Sequence, residues 1–208
     1  VTEAGEVLAG VAGKLRFNAA TPAAFPAVGD FVLLDRSDNT TGQAVIQQVL
    51  TRTSVFVRKA AGTASTEQVV ASNIDTVFIC MSLNSDFNLR RLERYLAIAW
   101  SSGALPVVVL TKADLCADVA AKVSEAESVA IGTEILVTSS LAEDGHDQIL
   151  PYLHCGSTAA FIGSSGVGKS TLINRLAGTA FATSGLRNDD KGRHTTTRRE
   201  LIVLANGG

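Results

Sequence analysis

Apolar and polar residues alternate in short runs through the first part of the chain, at 6–11, 31–35, 44–50 and 54–57, with turn-rich stretches at 18–29 and 37–42 between them. A period of two over so few residues is the signature of half-buried strands, and no helical period intervenes. The region therefore reads as a small all-β barrel or sandwich. A polar, small-residue stretch at 60–72 reads as a linker, so two domains are expected, at residues 1–65 and 66–208. Beyond it the pattern becomes unbroken apolar runs separated by amphipathic segments. Strands are predicted at 76–81, 106–110, 134–137 and 158–162. Leu89, Leu92, Leu96 and Trp100 fall on one face of a helix that Gly103 stops, and Val119, Val123 and Val129 mark another that ends near Gly132. A short helix at 149–153 and a further one carrying Leu172, Ile173 and Leu176 complete the series. Strand and helix in alternation imply an α/β domain with a mostly parallel sheet and helices on both faces, whose ligands sit beyond the carboxyl ends of the strands.

Composition adds bounds rather than chemistry. With 208 residues and 46% hydrophobic content, the chain has material for one large core or two smaller ones. Its net charge of −2 does not mark a nucleic-acid binder, so any such contact must come from local patches. Lys14, Arg16, Arg52, Arg58 and Lys59 form one candidate patch; a solvated set of surface charges is the other reading. Apolar runs such as 105–110 are far too short to cross a membrane, and no charged-then-apolar leader opens the chain. A soluble cytoplasmic protein without a membrane partner is expected. Cys80, Cys116 and Cys155 are widely spaced and form no C-x-x-C pair, which argues for ordinary thiols over a disulfide framework or a complete metal site.

The most specific chemistry lies at Gly163-Ser164-Ser165-Gly166-Val167-Gly168-Lys169-Ser170-Thr171, a G-x-x-x-x-G-K-S phosphate loop between a predicted strand and a predicted helix. Gly163 and Gly168 let backbone N–H groups turn inward around phosphate oxygens, and the helix that follows adds its positive end. Lys169 would reach the β- and γ-phosphates, and the Ser170 hydroxyl would ligate Mg²⁺. Thr111-Lys112-Ala113-Asp114, directly after an apolar strand, resembles the N-K-x-D motif by which GTPases select guanine. The Asp114 carboxylate would accept from guanine N1–H and N2–H₂, and Lys112 would lay its stem along the base and ribose; a capping loop is the plainer alternative. Threonine in place of asparagine keeps a hydroxyl and loses the amide, which leaves room for weaker base selectivity. Thr138-Ser139-Ser140 follows the next strand and resembles the loop whose N–H groups meet the guanine oxygen, or serves as a helix cap. Gly192-Arg193-His194-Thr195-Thr196-Thr197, ahead of a predicted strand at 200–204, resembles a switch loop, with Thr196 or Thr197 as the Mg²⁺ ligand. Arg187, Lys191, Arg193, Arg198 and Arg199 make that loop basic, for RNA contact or simply for solvation. His146 and His154 have no partners in the sequence.

In ordinary GTPases the phosphate loop precedes the base-reading loops, whereas here Asp114 and Ser139 precede Lys169, so the chain reads as circularly permuted. With G-S-S-G-V-G-K-S-T-L-I-N, T-K-A-D and G-R-H-T-T-T, and with Pro26-Ala27-Val28-Gly29-Asp30 and Asn73-Ile74-Asp75-Thr76-Val77, it resembles the RsgA/YjeQ family of small-ribosomal-subunit-dependent GTPases. The resemblance implies an N-terminal OB-fold barrel and a permuted P-loop GTPase domain. It also implies Mg²⁺ with GTP or GDP, GTP hydrolysis stimulated by the small subunit and its rRNA, and a role in late maturation of that subunit, here expected of a monomer. Lys169 would be catalytic, and His194 would stand in for the glutamine that orients water in conventional GTPases, or be an exposed loop histidine. The family's D-x-x-G motif is expected after the turn at Gly207 and Gly208, and its zinc-binding region further on, so the 208 residues are expected to bind nucleotide better than they hydrolyse it. Two other readings stand beside this one: an RNA-binding module whose nucleotide site is only a sensor, and an ATP-dependent P-loop enzyme.

Overall fold

The computed structural model describes residues 1–3, 5–38, 42–59, 67–139, 145–178 and 201–208, with the side chains of Arg58, Lys59 and Glu67 outside the described residues. The chain divides into two compact units, Val1–Asn73 and Ile74–Gly208.

In the first unit, β1 (Ala9–Val11), β2 (Val32–Leu34) and β3 (Ala44–Val49) form one sheet in the order β1-β3-β2. β4 (Val55–Lys59) and β5 (Glu67–Ser72) form an antiparallel pair. Among the described residues no ladder joins the two sheets into a closed barrel; the single bridge Val28↔Ala71 ties the β2 side of the unit to β5. Two expectations change here. A six-residue helix, α1 (Gly13–Asn18), stands where no helical period was legible, because it buries none of its residues and so carries no apolar stripe. The stretch expected as a linker ends in β5, whose pairing with β4 moves the division between units to Asn73, later than the boundary expected after residue 65. Only Val69 of its apolar residues is well buried, so the strand is specified by its partner more than by its own composition.

Arg52 is not part of a solvated patch. Its Nε and Nη2 donate to the two oxygens of Asp30 at 2.7 Å each, and Nη1 donates to the Ala23 carbonyl at 2.7 Å. Ser72 Oγ adds a bond to Asp30 at 2.5 Å, and the Ala27 N–H another at 2.8 Å. Burial pushes the Asp30 carboxyl up, but the bonds from Arg52, Ser72 and Ala27 outweigh it and hold the group below the usual carboxylate range.

The second unit is built on a four-stranded parallel sheet in the order β8-β7-β6-β9, from β6 (Thr76–Ser82), β7 (Leu105–Thr111), β8 (Glu134–Val137) and β9 (Ala159–Ile162). Every residue of β6 is buried, as an apolar run covered on both faces requires. On one face Phe78, Cys80, Val107 and Val109 pack with Leu136, Ile149, Leu153, Val167 and Leu172, the last on α4 (Lys169–Ala177). On the other, α2 (Leu89–Ser102) packs on β6 and β7 and touches α3 (Val119–Glu127). Asn88 caps α2 by accepting the Arg91 N–H at 2.9 Å, and Gly103, at φ 86°, closes it. The buried stripe of α2 runs through Leu92, Leu96 and Ala99, leaving Trp100 at 53% exposure instead of on the core face. Stepping three residues from Leu96 keeps to the sheet, whereas a step of four turns outward. The strand expected at 200–204 is absent over its described part, residues 201–204: no described strand pairs with it, and Leu201 and Val203 face solvent. Leu204 still packs on the core.

Candidate functional site

The loop after β9 leaves the sheet at Gly163, where φ is 149° and a Cβ would collide with the Cys80 carbonyl oxygen of β6. Glycine alone allows that approach. Gly168, at φ 102°, caps α4 without a side chain, so the first N–H groups of that helix face the loop. Val167 is buried in the core, while Ser165, Gly166, Ser170 and Thr171 are exposed. Lys169 folds back on the loop, its Nζ donating to the Gly163 carbonyl at 2.9 Å and the Ser164 carbonyl at 2.7 Å. Burial holds its ammonium below the usual lysine range.

Thr111 ends β7 with a side chain buried beneath this loop, and its Oγ1 donates to the Val167 carbonyl at 2.6 Å. The hydroxyl that distinguishes T-K-A-D from N-K-x-D thus ties one motif to the other. Lys112 takes a left-handed conformation, φ 59° and ψ 41°, at a cost of about 1 kcal/mol or more for a residue with a Cβ. It swings the chain into the turn Ala113–Leu115, which presents Asp114 outward. The Ser139 hydroxyl donates to Asp114 Oδ1 at 2.6 Å, and the Ala113 N–H donates to the Thr138 carbonyl at 3.2 Å. Loops at the ends of β7, β8 and β9 are therefore joined by hydrogen bonds into one rim.

The loop after β6 completes that rim, and the sequence reading did not single it out. Asn84 Oδ1 accepts from Ser82 Oγ at 2.9 Å and from the Asp86 N–H at 3.0 Å. Asp86 Oδ2 then accepts from Arg91 Nη1 at 2.7 Å and from Ser164 Oγ at 2.6 Å, and Arg91 Nη1 also donates to Ser164 Oγ at 2.9 Å. The Arg91 bond, with that from Ser164, holds the Asp86 carboxyl below its usual range. The signal was a helix cap, Asn88, at the carboxyl end of a central strand, flanked by charges of both signs.

A profile described as RsgA GTPase matches residues 49–208. The chain belongs to the RsgA GTPase family. It is 56% identical over 209 residues to small ribosomal subunit biogenesis GTPase RsgA 2 of Lactiplantibacillus plantarum, covering 100% of this chain and 58% of that protein. It is 49% identical over 185 residues to small ribosomal subunit biogenesis GTPase RsgA of Methanosarcina acetivorans, covering 88% and 50%. The chain thus spans little more than half the length of these relatives. Among solved structures, YjeQ from Thermotoga maritima matches with a TM-score of 0.71 at 28% identity, covering 99% of this chain and 66% of that one. YloQ, described as a circularly permuted GTPase, shares the fold with a TM-score of 0.59 at 23% identity, covering 82% and 55%.

Within this RsgA fold the described candidates, Thr111, Lys112, Asp114, Ser139 and Gly163 through Thr171, all lie at the carboxyl end of the sheet, at the end of β7, on the loops that follow the strands or in the first turn of α4. Ser140, His194, Thr196 and Thr197 lie outside the described residues, as do Arg187, Lys191, Arg193, Arg198 and Arg199. His146 and His154 flank the turn Asp147–Tyr152, and among the described residues no hydrogen bond or ion pair joins either to the rim. Among the described residues no group of three or more His, Cys, Asp or Glu side chains is arranged to hold a metal ion.

Proposed function

We propose that the rim binds a guanine nucleotide and that the protein hydrolyses GTP to GDP and phosphate in the biogenesis of the small ribosomal subunit, with that subunit and its rRNA as partners. The observation that carries this reading is the hydrogen-bonded continuity from Asp114 through Ser139 and Thr138 to the T-K-A-D loop, and from Thr111 to Val167 in the loop that bears Lys169. On this reading a base reader and a phosphate grip would lie on one hydrogen-bonded rim although they occur in inverted order along the chain.

Asp114 would accept both N–H edges of guanine, and adenine would leave that carboxylate unpaired. Ser139, bonded to Asp114, would keep it turned toward the base, and Ser140 and the Lys112 stem would add contacts to the ring. The N–H groups of residues 164–171 would wrap the α- and β-phosphates. Lys169 would exchange its two carbonyl partners for β- and γ-phosphate oxygens, a stronger, charge-assisted pairing. Ser170, exposed in the first turn of α4, with Thr196 or Thr197, would hold Mg²⁺, which when bound neutralises charge on the phosphates. The attacking water would be oriented by His194. The first unit would serve as an OB-fold contact for rRNA, and the whole protein would work in the cytoplasm as a monomer.

Competition for a fluorescent GDP analogue tests the base assignment: GDP should displace it far more readily than ADP, and equal displacement would defeat the guanine reading. Turnover of GTP by the full-length protein, with and without purified small subunits, tests the rest. Stimulation is expected, and its absence would favour a nucleotide-sensing RNA-binding module.

A further inference from the structure

We propose that the Asp86–Arg91 pair is a positioning device for the phosphate loop, gripping the Ser164 hydroxyl so that the loop is already curved before nucleotide arrives. This rests on the nucleotide-site reading above and adds two residues to it.

Ser164 is held at both of its polar ends. Its hydroxyl gives its proton to Asp86 at 2.6 Å and takes one from Arg91 at 2.9 Å, while its carbonyl accepts from Lys169 at 2.7 Å. A hydroxyl used as donor and acceptor at once has no free rotor, so the side chain fixes the peptide that seats the lysine. Thr111 pins the far end of the loop through the Val167 carbonyl, and Gly163 is pressed against β6. Only the exposed Ser165 and Gly166 lie between the pins, where phosphate would sit. A loop ordered in advance spends less of its binding energy on being ordered.

The charges make the device asymmetric. Asp86 brings a carboxylate to a loop that receives phosphate, which is tolerable because Arg91 lies 2.7 Å from it. Removing Arg91 leaves that carboxylate beside the phosphates with only the Ser164 hydroxyl and the field of Lys112 to offset its charge. Removing Asp86 loses a brace but introduces no repulsion.

The test measures affinity and dissociation rate of fluorescent GDP on full-length wild type, Ser164→Ala, Asp86→Asn, Arg91→Met and the double variant Asp86→Asn/Arg91→Met. Circular dichroism and thermal unfolding serve as controls for folding. Ser164→Ala and Asp86→Asn are expected to weaken GDP roughly threefold to fivefold, and Arg91→Met roughly tenfold or more. The double variant should bind more tightly than Arg91→Met alone, a recovery that a merely structural brace would not show. Single variants within twofold of wild type, or a double variant as weak as Arg91→Met, would overturn the proposal. If wild type prefers ADP, the base assignment fails and the same comparison is read with fluorescent ADP, whose phosphates are the same. If wild type binds neither, both readings fall.

Discussion

Asp30 exposes 1% of its side chain and Arg52 14%, so the pair that organises the first unit is nearly dry. Removing one partner of such a pair strands the other charge, and Asp30→Ala is expected to cost about 3–5 kcal/mol in urea unfolding. The pair also sets an acid limit. With the folded Asp30 pKa below its unfolded value of about 3.9, the stability it contributes is complete above that pH and is lost as pH falls through the folded value. Asp30→Asn should therefore flatten the loss of stability of the first unit as pH falls below about 4, measured by denaturation at stepped pH. The same economy of partners governs the rim. Ser139→Ala removes the hydroxyl that holds Asp114 and, on the proposed reading, should weaken GDP by roughly threefold to tenfold without altering the fold. Asp114→Ala should erase most of the preference for GDP over ADP, a factor of about 10² or more. At this scale the sequence was legible for chemistry and silent on partners. Thr111 could be read as an asparagine substitute that had lost its amide, but its partner, the Val167 carbonyl, lies 56 residues away and belongs to another motif.

At the scale of elements, α2 shows a pattern right in period and in phase through Leu96 and displaced by one residue only in its last turn. The period places Leu92 and Leu96 on the core face, where they are buried, and Ala99 takes the buried position that the period gives to Trp100. Its ends were written locally, in Asn88 and in Gly103. Asn88→Ala should cost about 1 kcal/mol and Gly103→Ala roughly as much or more, the second because φ 86° suits no side chain; thermal unfolding measures both. Since α2 begins with Arg91 inside its first turn, fraying at Asn88 should also loosen nucleotide, whereas the change at Gly103 should leave binding unaltered. β5 and α1 escaped the sequence reading for a shared reason: neither carries a stripe of apolar residues. β5 is held by backbone bonds to β4 and to Val28, and α1 by local bonds such as that from the Arg16 N–H to the Ala12 carbonyl; periodicity records burial, not hydrogen bonding.

For the molecule as a whole, the elements proposed to bind nucleotide all fall within Ile74–Gly208. GDP at about 100 times its Kd should stabilise that unit by about 2.7 kcal/mol. Hydrogen exchange should then slow in β6, β7 and β9 and stay unchanged in β3 and β4; equal slowing in both units would contradict the assignment. The sequence by itself determined which stretches are strands of the parallel sheet and which residue types line its loops, because apolar runs and glycine spacing act over a few neighbouring residues. Tertiary structure decided the order β8-β7-β6-β9 and, with it, that Asp86 meets Ser164, Thr111 meets Val167 and Ser139 meets Asp114. Parallel strands are joined by long crossovers, so the ends that become neighbours in space are far apart along the chain, and no local pattern records which of them will touch.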